Sequence, residues 1–222
     1  MVLAMMFPAA AWAADIPADF LSVEPEAGEE SEDRWAVEAD EAYVVTASAE
    51  ETARTVNPLY QADYPDTLFC YRGVEKSVAS SGCGAVCLSM VLSYFDETLA
   101  QTPETIFTWL YQQGLYRGNG FSKLMMCSVL EDCRMQYKLC SLNRKTMRKA
   151  LEDGSLVIAF MGEGYFSDNG HYILIYAIDE SNKVLVIDPN SPEKSERAYN
   201  MSWLMRQAAG SEPYIVCYGA VS

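Results

Sequence analysis

The chain contains one histidine, His171, among 222 residues. That scarcity excludes any site built on two or three imidazoles, histidine-rich zinc centres among them. Positive charge is also scarce. Sixteen Lys and Arg face 31 Asp and Glu, and the formal charge is −15. No basic stripe occurs, which argues against nucleic acid as a partner. Long apolar runs are missing too, and none reaches the ~20 residues that a membrane-spanning helix needs. No C-x-x-C pair interrupts the sequence, so its seven cysteines do not read as a zinc site. Nothing calls for a metal or an organic cofactor. An odd number of cysteines leaves at least one without an internal partner. The other six can form three bridges or remain six buried thiols, and spacing does not choose.

What is present is unevenly spread. Residues 15–54 carry 13 acidic and two basic residues, whereas the rest carries 18 and 14. The acid excess is therefore an N-terminal property. Residues 1–14 hold an apolar run and then Ala11-Trp12-Ala13, which resembles a signal-peptidase site without the usual charged start. The expectation is an export signal, hence a secreted or cell-surface protein with no stable membrane insertion once the signal is removed. Residues 15–56 have too few large apolar side chains to offset their ordering entropy and read as an acidic linker or pro-segment. The folded domain is expected over 57–222.

Within that domain the pattern changes once. A loop-rich stretch runs to Ser81, and helices follow. The first spans about Gly84 to Phe95, apolar nearly all round and therefore buried. The second opens with Thr102 as cap and Pro103 in its first turn, and ends at Gly114. A turn over 117–120 leads to a helix from about Ser122 to Cys133. Met135–Cys140 reads as a short strand, and Asn143 caps a basic helix that ends at Gly154. Strand-like runs follow at 156–161, 172–178 and 184–187, the last two joined by a turn over Asp179–Asn182. A helix near 201–209 and a strand near 214–218 complete the chain. Helices first and an antiparallel sheet later indicate an α+β domain.

Three residue types in this order carry chemistry. Cys83 stands between Gly82 and Gly84 at the mouth of an apolar helix. Unpaired N–H groups and the helix dipole favour a thiolate there. His171 opens a strand after the polar loop "MGEGYFSDNG", directly after Gly170. Asp188 ends the next strand. If the two strands pair as a hairpin, these ends lie side by side, and the carboxylate can fix the tautomer of the ring. Asn190 can do similar work or shape the turn after Pro189. Gly82, Gly84, Gly170 and Asn190 are the candidate substrate-contacting positions. For the oxyanion, the backbone N–H of Cys83 is the natural first donor, and Gln61 is the candidate for the second. Cys87, Cys127, Cys133, Cys140 and Cys217 read as core or disulfide residues, and Trp109, Tyr111 and Tyr116 as packing. Tyr165 and Phe166 can line a cleft or act as hydrophobic pegs.

Three blocks, "GCGAVCLSMVLSYF", "VIAFMGEGYFSDNGHYILIYAID" and "VLVIDPNSPEKS", together resemble the C-39-like cysteine peptidases. These are relatives of the bacteriocin-processing, double-glycine peptidases of the papain-like clan. The likeness covers roughly residues 59 to 219. It implies a papain-like fold acting on a peptide or protein substrate. It also implies Cys83 as nucleophile, His171 as base and acid, Asp188 as orienting carboxylate and Gln61 as oxyanion donor. Two positions depart from the family. Gly84-Ala85-Val86 stands where many relatives carry Gly-Pro-Thr, and Ser77 occupies the place six residues before the cysteine where many bacteriocin peptidases carry the oxyanion glutamine. A thiol acyltransferase on the same three residues, and a catalytically silent peptide-binding domain, are the competing expectations. An NlpC-type cell-wall peptidase is disfavoured, because those use a Cys-His-His set.

Overall fold

The computed structural model describes residues 55–118 and 120–220. The expected export signal, and all but the last two residues of the expected acidic linker, lie outside the described residues. The domain begins with a two-stranded hairpin, β1 (Phe69–Tyr71) and β2 (Val74–Lys76). Arg72 and Gly73 form its turn with φ of 50° and 82°. Positive φ at both central positions is the twist that a two-residue hairpin requires. Sequence reading placed only a loop here, because three-residue strands are too short to show alternation.

Helices α1 (Val78–Ser81) and α2 (Cys83–Phe95) follow, broken at Gly82. Next come α3 (Pro103–Gln112) and α4 (Lys123–Asp132). The caps are local and legible. Thr102 Oγ1 accepts from the N–H of Thr105 ahead of Pro103, and Ser122 Oγ accepts from the N–H of Met125. Gly114 takes the left-handed conformation after α3, with φ of 67°. Strand β3 (Met135–Cys140) then leads to α5 (Arg144–Glu152), opened by a reciprocal cap between Asn143 and Thr146. The chain ends with β4 (Leu156–Met161), β5 (His171–Ile178), β6 (Lys183–Ile187), α6 (Pro192–Ser195), β7 (Ala198–Asn200), α7 (Met201–Gln207) and β8 (Tyr214–Ala220). Helices precede an antiparallel sheet, which is the α+β organisation expected, with Cys83 at the first residue of a helix that packs on β5 and β8.

The sheet has six antiparallel strands in the order β3-β8-β4-β5-β6-β7. Successive side chains of a strand point to opposite faces, and both faces are covered. Leu156, Ile158, Tyr172 and Leu174 join the core under α2, α3 and α4. Val157, Ala159, Ile173 and Ile175 join a second core with Met147 and Leu151 of α5 and Leu204 of α7. That double burial explains why β4 and β5 read as unbroken apolar runs instead of alternating ones. It also makes the central strands a rigid mount for whatever stands at their ends. Among the described residues no helix is long and apolar enough to cross a membrane.

All seven cysteines are free thiols, and Cys87, Cys140 and Cys217 are buried. Of the two arrangements that the sequence left open, the structure holds free thiols, but not all six are interior, since Cys70 is exposed and Cys127 and Cys133 are only partly buried. Reductant should therefore leave the thermal midpoint unchanged. Alkylation after unfolding without reductant should add seven labels by mass. A midpoint that falls with reductant would contradict this arrangement.

Candidate active site

Segments around Cys83 and Asp188 meet at His171. The ring opens β5 and is 3 % exposed, and Asp188 follows β6 and is fully buried. β5 and β6 pair antiparallel, with Leu174 opposite Ile187, so their two ends adjoin as the hairpin reading required. The ring Nε2–H donates to Asp188 Oδ1 at 2.7 Å. This leaves Nδ1 facing away from Asp188, and the Cys83 side chain is near enough to the ring to act on its charge. Asp188 is thus in direct contact with the imidazole, and Cys83 is its electrostatic neighbour.

Asp188 is held from several sides. Its Oδ1 also accepts the backbone N–H of Asn190 at 2.8 Å. Its own N–H donates to Ser195 Oγ at 2.9 Å, and its carbonyl accepts from the N–H of Ser191 at 3.0 Å. Asn190 therefore contributes its main chain to the site, while the residue itself is exposed. This is an aspartate turn that presents one carboxylate oxygen to the ring and uses the following backbone to fix it. Burial of the imidazole disfavours its charge. The hydrogen bond to Asp188, with the negative charge of Asp188 and Cys83, outweighs that, and the His171 pKa is raised from 6.5 to about 9.

Cys83 is partly exposed at the first position of α2, and Gly82 at the cap has no side chain to satisfy the first N–H groups. Those donors remain available to an anion at the thiol. One turn below, Cys87 is fully buried, and burial together with the nearby Cys83 and Asp188 pushes its pKa well up. Burial likewise raises Cys127, Cys133, Cys140 and Cys217. These are inert thiols by environment. Tyr116 is buried, Tyr111 stacks on Phe69 at 4.1 Å and Phe166 is buried in the second core, so all three are packing residues. Tyr165 is 40 % exposed at the rim of an aromatic cluster with Phe166, Tyr199 and Trp203.

The remaining expected residues have visible structural work. A Cβ on Gly84 would stand 2.5 Å from the Phe121 ring and 2.7 Å from Met126 Sδ, so its open side is filled by the region around α4. A Cβ on Gly82 would strike the Val78 backbone at 2.7 Å. Gly170 is exposed with φ of 88°, a conformation that favours glycine. Gln61 is buried. Its Nε2 donates to the Val78 carbonyl at 2.9 Å and its backbone N–H to the Pro189 carbonyl at 2.8 Å. It therefore ties the helical turn before Cys83 to the loop after Asp188, while its Oε1 is buried without a hydrogen bond. Sequence reasoning missed Lys194 and Ser195, both on α6 beside Asp188. The available signal was Ser191-Pro192, a capping serine before a proline, which folds the chain back within a turn of Asp188.

A family model described as Peptidase_C39 like family matches residues 54–218. Among solved structures, the chain is similar to the peptidase domain of Streptococcus ComA, described as a bi-functional ABC transporter involved in a quorum sensing pathway. The identity is 14 % and the TM-score 0.43, over 62 % of this chain and 90 % of that one. No curated protein matches.

The single imidazole makes its titration readable without assignment. Its NMR midpoint should lie near 9, and Asp188→Asn should lower it by more than about one unit. A folded-state pKa above the unfolded 6.5 gives stability that is full below pH ~6.5 and lost as pH rises through about 9. Denaturant midpoints across that window should fall in the wild type and flatten in His171→Ala. Separately, Gly84→Ala should cost about 1–3 kcal/mol in urea unfolding, because Phe121 must move.

Proposed function

The chain belongs to the Peptidase_C39 like family, and from that premise we propose that it is a cysteine peptidase using Cys83, His171 and Asp188. One observation carries this reading, the buried imidazole that contacts Asp188 at 2.7 Å and has the Cys83 side chain near enough to act on its charge. His171 Nδ1 takes the Sγ proton, and Asp188 holds the resulting imidazolium in orientation. The thiolate adds to a peptide carbonyl. The oxyanion that forms lies within reach of the Cys83 N–H at the start of α2. His171 then returns its proton to the leaving amine, a thioester remains on Cys83, and water attacks it with His171 as base.

The Gln61 amide points its two N–H donors at the Val78 carbonyl (2.9 Å) and the Ala79 carbonyl (3.4 Å), so its support for the reaction in this state is to hold the two arms of the site together. The reaction as written consumes one water per bond and needs no cofactor. The apolar opening with Ala11-Trp12-Ala13 supports an exported enzyme acting on peptides or proteins outside the cell.

The first test is limiting iodoacetamide near pH 6, with labelled peptides located by mass spectrometry. An ordinary thiol, of pKa ~8.5, reacts slowly there. Cys83 should be labelled ahead of the exposed Cys70, and the preference should vanish in His171→Ala. Cleavage of a mixture of unstructured peptides should fall on the order of 10³-fold or more in Cys83→Ala. An added amine that captures product in place of water would indicate acyl transfer. Equal labelling of Cys70 and Cys83 would mean that the pair is not assembled and would favour a binding domain.

A further inference from the structure

Asp188 Oδ2 is buried and makes no hydrogen bond. A second carboxylate oxygen left bare in a site with no exposure is costly unless a charge compensates it. The groups facing Asp188 are few. His171 lies on β5 and occupies Oδ1; Cys87 approaches from α2 and Tyr199 from β7, both raised by burial and by the carboxylate charge. None of these is a cation directed at Oδ2. Lys194 is, with its Nζ 3.9 Å from that oxygen.

Lys194 is also tied elsewhere. Its ammonium donates to the Tyr165 carbonyl at 2.9 Å and lies 5.0 Å from the Tyr165 ring centre and 5.8 Å from that of Phe166. The Lys194 carbonyl accepts from the Tyr199 hydroxyl at 2.8 Å, and its neighbour Ser195 holds the N–H of Asp188. One side chain thus touches the carboxylate on one arm and, on the other, the loop that delivers His171. The side chain is about a quarter exposed, so the ion pair is shielded without being sealed.

We propose that Lys194 is a positioning residue of this site: its ammonium compensates the bare oxygen of Asp188 and pins the 162–170 loop ahead of His171. The inference rests on the proposed roles of His171 and Asp188, but its test does not depend on turnover. Asp188 supplies a negative charge to the imidazolium, and Lys194 opposes it from behind. Removing the cation leaves the carboxylate acting on the ring unopposed, so the midpoint of His171 must rise.

The measurement is the NMR titration of the only imidazole in the full chain, in wild type and in Lys194→Gln, Lys194→Met and Lys194→Arg. Lys194→Gln retains a donor for the Tyr165 carbonyl and removes only the charge. Its midpoint should rise by about half a unit, Lys194→Met should match it, and Lys194→Arg should return to the wild-type value. A midpoint that stays in place or falls while the protein is folded overturns the assignment, whatever the peptidase assay reports. If neither neutral variant folds, Lys194→Gln is combined with Asp188→Asn. The pair should then fold, because the uncompensated buried charge is gone. A double variant that also fails to fold overturns the assignment as well. Peptidase failure in an otherwise normal titration would count against the catalytic reading and leave this one standing.

Discussion

A carboxylate with no access to water must be satisfied where it lies, and Asp188 is such a group. Three neighbours meet that demand. The imidazole and the Asn190 N–H share Oδ1, and Lys194 stands against Oδ2, while Ser195 Oγ holds the backbone N–H of the same residue. Each draws in a different part of the chain. Through His171 the carboxylate reaches β5 and the thiol on α2. Through Pro189 and Gln61 it is linked to the turn that precedes Cys83. The arms of the site are thus joined by polar contacts around a single buried charge.

The frame for that charge is apolar. The six-stranded sheet has a hydrophobic core on each face, so β4, β5 and β8 are closed in from both sides. Side chains at the ends of such strands have little freedom to drift. α2 lies in one of these cores with every residue from Gly84 to Leu92 buried, which leaves Cys83 at the boundary between packed interior and surface. Cys83 therefore stands where a buried helix emerges. Its two flanking glycines fit that geometry, one against the Val78 backbone and the other against Phe121.

Much of this was legible locally. Thr102-Pro103, Ser122 and Asn143 mark helix starts because a capping side chain bonds to backbone only three residues away. The runs that became β4 and β5 were readable because sheet strands buried on both faces are continuously apolar. The neighbourhood of His171 and Asp188 followed from hairpin register alone. By contrast, β1, β2 and β7 are three residues each and show no period. The glycines around Cys83 looked like space for a ligand, since nothing nearby in sequence announces that Phe121 fills one side.

By itself, the sequence determined that one imidazole at most can serve any chemistry here, and that a hairpin would bring it to Asp188. It also determined where helices begin and which runs enter a core, since these depend on neighbours within a few residues. Only the tertiary structure decided that Gln61 bonds to Val78 and Pro189, that Phe121 closes on Gly84, and that Lys194 faces the free oxygen of Asp188. Those outcomes depend on burial and on distances between segments that meet only after folding. A lysine on a short polar turn looks the same in sequence whether it points to water or to a buried carboxylate. The difference lies in the desolvation of its partner, which exists only once the sheet has closed around it.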